Sequence, residues 1–392
     1  MTSFELGINL PWVTCGHDFG PRPPAWGGDV GPRDWDETKR QLEELRRLGL
    51  TFTRIWVLAG GINYPAGENP DVLGEFVSVG DGSLHAVADA VGIGDVARRI
   101  VRSSRFKTLR LHEGARPPRL PERFAEDLVG LLEACRQTGV RLVPSLLSFE
   151  FFQPAVHVGK GIVKRGRKAL VFGNHGAESL VDPFLDATLA PLLDASKEVP
   201  DAIYAWEVIN EPEWCVRGGP VQIDREFLPS LHWVDPGEMS ALIEAALDRI
   251  VAAGFLSTVG FESADLDWMA PSLQEKLRRW AADGQYLHQR HHYPTVLTHH
   301  RLPTEGSLAL RPCMLGEFPT SMGGSGLDNI RWRDPELEAS EADPSRYLRS
   351  RIELIRDRGY PSALLWSGNS GDPRRAWGAE QKRQVEAFCR GR

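Results

Sequence analysis

Apolar and polar positions fall into two alternating rhythms along the chain. FELGINL (4–10), TFTRIWVL (51–58) and VRLVPSLLSF (140–149) are short runs rich in β-branched and aromatic residues, as buried strands are. Between them, RDWDETKRQLEELRRLG (33–49) and PERFAEDLVGLLEACRQTG (121–139) carry apolar residues at helical spacing. Each follows a proline and stops at a glycine, and the first places acids early and bases late. The same alternation continues with a helix at 183–199, a strand at 202–211, a helix at 236–254 and a strand at 256–263. It goes on with a helix at 271–284, strands at 285–294 and 313–318, a helix at 344–359, a strand at 362–368 and a closing helix at 379–391.

Eight strands separated by helices predict parallel pairing with right-handed crossovers. Both an open doubly wound sheet and a closed barrel satisfy alternation. Eight units, with no glycine-rich phosphate turn after the first strand, favour the closed form. The fold expected is α/β, a (β/α)8 TIM barrel, in one domain over 1–392. Long βα-loop insertions fall at about 59–120, 149–183 and 319–343. No fixed-period repeat, linker or low-complexity tract interrupts it.

Composition narrows the function. Apolar residues are 42% and charged residues 25%, as in soluble globular proteins. A net charge of −7 argues against a general nucleic-acid binder, and no apolar run is long enough to span a membrane. The N-terminal MTSFELGINLPW has no basic start and no apolar signal core, which points to the cytoplasm. The five cysteines are scattered and lack CxxC spacing, so they read as reduced thiols rather than a disulfide framework or a zinc site. Twelve tryptophans supply flat apolar faces of the kind that stack on sugar rings, though tryptophan is also a common core residue.

Chemistry gathers at the strand ends. In a barrel, groups at the C-terminal ends of the strands surround one pocket. The fourth strand ends in Asn210-Glu211-Pro212, the sixth in His291-His292-Tyr293, the seventh in Gly316-Glu317-Phe318 and the eighth in Trp366; the second holds Arg54 and Trp56. Strand alternation puts Glu207, Ile209 and Glu211 on one face and His291 with Tyr293 on another. Glu211 and Glu317 would then face each other across the mouth. Two carboxyl groups in different environments suit glycosidic bond cleavage, one protonated to release the leaving oxygen and one charged to attack.

NEP closing the fourth strand and GEF closing the seventh resemble clan A retaining glycoside hydrolases, the 4/7 superfamily. The likeness is greatest to family 5, the cellulase- and mannanase-like group. It extends over essentially the whole chain and includes TRIW on the second strand, His-x-Tyr on the sixth and a Trp on the eighth. The resemblance implies that Glu211 is the general acid/base and Glu317 the nucleophile. It further implies that Asn210 holds the sugar 2-hydroxyl and that Tyr293 and His291 orient the carboxyl groups. Arg54 would support Glu317 from below and keep it ionised, and Trp366 would floor the sugar site. The implied activity is retaining hydrolysis of β-glycosidic bonds in glucan- or mannan-like saccharides, with a carbohydrate partner and no cofactor or metal.

The chain departs from the family pattern in two places. Where many members have a His after the third strand, it reads PSLLSFEFFQ, so Ser148 or Glu150 takes that position. NLPWVTCGHDFG is also unlike the usual opening, and Trp12, His17 and Asp18 become candidate sugar contacts. Trp214 is a candidate sugar platform, Trp206 is expected in the outward core, and Glu207 is expected to pair with Arg54 inside the barrel. GKGIVKRGRK reads as a solvated loop, with an acid-bearing substrate as its other reading. Insertions after the second and third strands could close one end of the cleft and favour exo action on small glycosides or glycolipids. Two other functions fit the fold. A silent sugar-binding barrel would keep its affinity without Glu317. A metal hydrolase would lose activity to a chelator, but the His residues at 288, 291, 292, 299 and 300 lack familiar ligand spacing.

Overall fold

The strand runs are buried almost throughout and need cover on both faces, which a closed barrel wrapped in helices supplies. The computed structural model describes residues 4–13, 19–20, 35–64, 73–78, 107–158, 162–217, 233–262, 266–293, 302–320, 344–368 and 377–391. Eight parallel strands form a closed barrel in sequence order. We label them β1 (Glu5–Asn9), β2 (Phe52–Ala59), β3 (Arg141–Ser148), β4 (Trp206–Asn210), β5 (Ser257–Phe261), β6 (His288–His291), β7 (Cys313–Pro319) and β8 (Ser362–Trp366). The seam closes where Gly7 of β1 pairs with Phe52 on one side and Leu364 on the other.

The helices form where capping and periodicity predict. Trp35–Arg47 buries Thr38, Leu42 and Leu45 on one stripe. Glu122–Thr138 ends at Gly139, whose φ of 71° is the left-handed cap that glycine adopts without strain. At Pro236–Ala252 the Asp235 amide donates to the Glu238 carboxyl at 3.1 Å, half of a capping box.

Among the described residues alternation is not strict. Between β6 and β7 the described residues contain only a 3-10 turn, Glu305–Ser307, and no α-helix. Phe149, read as the end of the third strand, begins a 3-10 turn instead. Each of the first two insertions contains an antiparallel hairpin: Gly74–Ser78 with Lys107–Leu111, and Val156–Val158 with Ile162–Lys164. Most of the third insertion lies outside the described residues.

Inside the barrel the side chains form layers. At the bottom Phe52, Val143, Leu287, Met314 and Leu364 make a small apolar cluster. Above it the layer is polar. Arg54 donates to Glu207 at 2.7 Å from Nε and 2.5 Å from Nη2, and Ser145 and Gln289 donate to the same carboxylate at 2.6 and 2.8 Å. Gly260 and Gly316 leave room for it, since a Cβ on either would come within 2.8 or 2.5 Å of Gln289. Glu207 thus pairs with Arg54, and Trp206 is fully buried in the large apolar cluster that includes the helices. Ile209 joins that outer cluster rather than the face of Glu207, because the β4–β5 register shifts between Glu207 and Asn210.

This pair makes the barrel sensitive to one substitution. Glu207→Ala removes the nearest counterion of a buried guanidinium, and breaking such a pair costs about 3–5 kcal/mol. We expect a loss of that order in unfolding experiments. A change under about 1 kcal/mol would show that Asn210, Asn9 and Glu317 suffice for Arg54.

Candidate active site

The polar layer rises directly into the mouth. Arg54 Nη1 donates to Glu317 Oε1 at 2.7 Å and to Asn9 Oδ1 at 3.1 Å, and Nη2 donates to Asn210 Oδ1 at 2.7 Å. One guanidinium on β2 therefore holds groups from β1, β4 and β7. Asn9 is tied in turn to the Gly316 and Leu365 carbonyls at 3.0 and 3.1 Å. The Arg54 guanidinium carbon lies 4.4 Å from the Trp56 ring centroid, and Trp56 meets Trp366 at 6.1 Å. The bond after Trp366 is cis.

Simple strand alternation would send Asn210 and Glu211 to opposite faces. The backbone prevents that. Glu211 has φ 48° and ψ 55°, a left-handed conformation that costs a non-glycine residue about 1–3 kcal/mol. The turn brings the Glu211 carboxyl back over the mouth while its amide donates to the Gly260 carbonyl at 2.6 Å. On β7 a register shift between Leu315 and Phe318 turns Glu317 inward beside Gly316. Strain gathered at a polar strand end is a common mark of a functional position.

The two carboxyl groups meet. Oxygens of Glu211 and Glu317 and a ring nitrogen of His291 all lie within 4.8 Å of one another. His291 Nδ1 and Glu211 Oε1 share a hydrogen bond of 2.8 Å, and the Tyr293 hydroxyl donates to Glu317 Oε2 at 2.5 Å. His291 is fully buried, and burial pushes its pKa down to about 4, so the ring is neutral at neutral pH. A cation drawn to this trio would have to compete with Arg54 and Tyr293, which already occupy both Glu317 oxygens.

The two environments differ. Burial pushes Glu211 up to about 7, opposed by Arg54 and by a hydrogen bond from Trp214, and reinforced by Glu207. Burial also raises Glu317 above the ordinary carboxylate value, with Glu211 adding to the rise. His291, Arg54 and the Tyr293 hydroxyl oppose it. Two donors in direct contact favour charge on Glu317, and Glu211 has no cation at that distance. The expected ionising effect of Arg54 is present but works against burial. The two carboxyl groups thus sit in unlike surroundings, Glu317 against two donors and Glu211 against His291.

The structure therefore brings Asn210, Glu211, His291, Tyr293, Glu317, Arg54 and Trp366 to one mouth. Trp214 sits in a 3-10 turn behind Glu211, its ring 6.1 Å from Phe149. Ser148 is buried at the end of β3, in register with Asn210. Glu150 instead turns to two bases, Lys164 at 3.2 Å and Arg165 at 2.7 Å. Trp12 is half-buried just after β1, with Lys164 Nζ 5.9 Å from its ring centroid. His17 and Asp18 lie outside the described residues.

Several residues were not singled out from the sequence. Asn9, Ser145 and Gln289 belong to the Arg54 network; Asn9 and Ser145 are polar residues inside apolar strand runs, whereas Gln289 lies in a run already polar and carries no such signal. Glu213 is completely buried, and burial pushes its carboxyl well above the ordinary range. GKGIVKRGRK is not wholly a solvated loop. Arg167 is fully buried, its guanidinium donating to the carbonyls of Gly60, Arg165 and Val163.

No protein-family model matches the sequence, and no curated protein matches it. Solved structures do. A β-mannanase from the blue mussel Mytilus edulis aligns over 99% of this chain and 92% of its own, with 16% identity and a TM-score of 0.58. An endo-1,4-β-mannanase from Eisenia fetida aligns over 100% and 91%, with 17% identity and a TM-score of 0.59. A GH5_18 variant from Streptomyces cattleya in complex with Manβ1-4GlcNAc aligns over 100% and 81%, with 13% identity and a TM-score of 0.55. At this identity the likeness carries the barrel fold.

Proposed function

We propose that this chain is a retaining β-glycoside hydrolase of the family 5 type, acting on β-linked mannose- or glucose-containing saccharides. The observation that carries the proposal is the approach of Glu211 and Glu317 to within 4.8 Å, in a pocket where Arg54 and Tyr293 donate to Glu317 and Glu211 meets His291. Retaining enzymes hold their carboxyl groups about 5–5.5 Å apart, and inverting enzymes leave about 6.5–9.5 Å for a water. Glu317, held charged by Arg54 and Tyr293, attacks the anomeric carbon. Glu211 gives its proton to the leaving oxygen. It then takes a proton from water as water displaces Glu317, so both groups return to their starting states. Asn210, fixed by Arg54, is placed to hold the sugar 2-hydroxyl. Trp366 and Trp56 offer the apolar floor. The solved mannanases of the same fold support mannose as the first sugar to try.

A finer reading is supported by the second hairpin. Arg165 donates its amide to Gly60 at 2.8 Å, Arg167 anchors to the same carbonyl at 3.2 Å, and Lys164 reaches Trp12 and Glu150. The hairpin thus crosses the ends of β1, β2 and β3, on the side where Trp56 floors the pocket. Closure there favours short substrates attacked from their non-reducing end.

One experiment tests both readings. Aryl β-mannosides and β-glucosides, followed by proton NMR, should release the β-anomer first. An α-anomer first would overturn the retaining assignment. A β-1,4-linked tetrasaccharide should lose single sugars from one end, and release of internal fragments would overturn the exo reading alone.

A further inference from the structure

The left-handed turn at Glu211 breaks the hydrogen-bond ladder between β4 and β5, and a residue unused by the chemistry above repairs it. In a regular parallel ladder a residue donates to one carbonyl of the neighbouring strand and accepts from the amide two residues further along it. The Glu211 amide keeps the first of these bonds, to the Gly260 carbonyl at 2.6 Å. Regular pleating would then bring the Glu262 amide to the Glu211 carbonyl. The turn carries that carbonyl away, and the Trp214 amide takes it at 3.1 Å. Glu262 follows β5 directly and is half-buried, so an amide left there without an acceptor would be costly.

Glu213 supplies the missing acceptor. Its Oε2 receives the Glu262 amide at 3.3 Å. Glu213 is completely buried in the middle of the 3-10 turn Pro212–Trp214. The chain after β4 is thus tied to β5 twice, by Glu211 to Gly260 and by Glu213 to Glu262. A left-handed glutamate persists only where its surroundings over-determine it, and these two ties bracket the strained residue. The same turn carries Trp214, which hydrogen-bonds to the Glu211 carboxyl. Burial pushes the Glu213 carboxyl well above the ordinary range, a cost that an apolar side chain of the same size would avoid.

We propose that Glu213 is a positioning residue: standing in for the lost backbone acceptor, it holds the turn that aims Glu211 at the leaving oxygen. Its action is through Glu211 and requires no contact with the sugar. The proposal rests on the hydrolase reading and concerns only the step in which Glu211 gives up its proton.

Three variants separate aim from folding. Glu213→Met keeps the length of the side chain without an acceptor. Glu213→Gln keeps an oxygen acceptor without the carboxyl, and Glu213→Asp draws the carboxyl back toward the turn. For each, kcat/KM is measured on two aryl β-glycosides, one whose phenol needs a proton to leave and one whose nitrophenol leaves without it. A misaimed acid slows only the first, whereas a smaller folded fraction slows both alike. A misplacement of about 1 Å can cost about 10²-fold, so Glu213→Met should lower the ratio of the two values about tenfold or more. Glu213→Gln should keep the wild-type ratio, and Glu213→Asp should fall between. An unchanged ratio in Glu213→Met, or in Glu213→Asp where the Met variant yields no folded protein, overturns the positioning role and leaves the hydrolase standing. A Glu213→Gln ratio as low as that of Glu213→Met overturns the acceptor as its basis. A wild type that cleaves neither glycoside brings down the hydrolase reading as well.

Discussion

Glu317→Ala should leave a folded barrel with essentially no turnover. Glu317 is almost fully buried, and its two oxygens are occupied by Arg54 and Tyr293 rather than by packing contacts. On the proposed mechanism its removal takes away the atom that bonds to the sugar. The expected loss in kcat is about 10⁴-fold or more, the scale on which enzymes lose a covalent nucleophile. Arg54 keeps Glu207 as counterion, so the unfolding transition should move little. Near-wild-type activity in this variant would end the glycosidase assignment. Binding of an oligosaccharide that survives in a variant lacking turnover agrees with it. A wild type that binds sugars yet cleaves none of them would instead support the silent binding barrel.

Glu211→Gln should cost on the order of 10²–10⁴-fold with a sugar leaving group, the usual worth of positioned proton transfer. A phenol with a low pKa needs little protonation to leave, so its loss in the bond-breaking step should be much smaller. The pH profile adds a second check. Glu211 must be protonated to act as acid, and burial raises it to about 7. Wild-type kcat/KM should therefore fall as pH rises through about 7, because the protonated form disappears. In Glu211→Gln that alkaline fall should vanish for a substrate with a good leaving group. A fall that persists unchanged would move the acid role to another residue.

Much of this site was legible in the sequence because parallel barrels place strand ends together whatever the loops do. NEP, GEF, His-x-Tyr and the final Trp needed only correct strand assignments to converge. What alternation could not give was the direction of single side chains. It placed Ile209 with Glu207, and it had no means to foresee the left-handed turn at Glu211 or the shifted register on β7. Both depart from regular pleating at the residues whose aim matters most. The hairpins in the loops were illegible for another reason. GKGIVKRGRK is charged throughout, and charge alone does not reveal that Arg167 is buried among carbonyls. Asn9 and Gln289 look unremarkable until the strands beside them are known.

Arg54 stands on β2, yet the groups it grips come from the first, fourth and seventh staves of the cylinder. The network that holds the reactive pair therefore draws on both halves of the chain. A partly folded chain whose seam between the first and last strands has not joined would possess every residue named above and still lack the assembled network. Catalytic turnover is in that sense a gauge of ring closure, and refolding followed by activity would report the last step of assembly rather than the first.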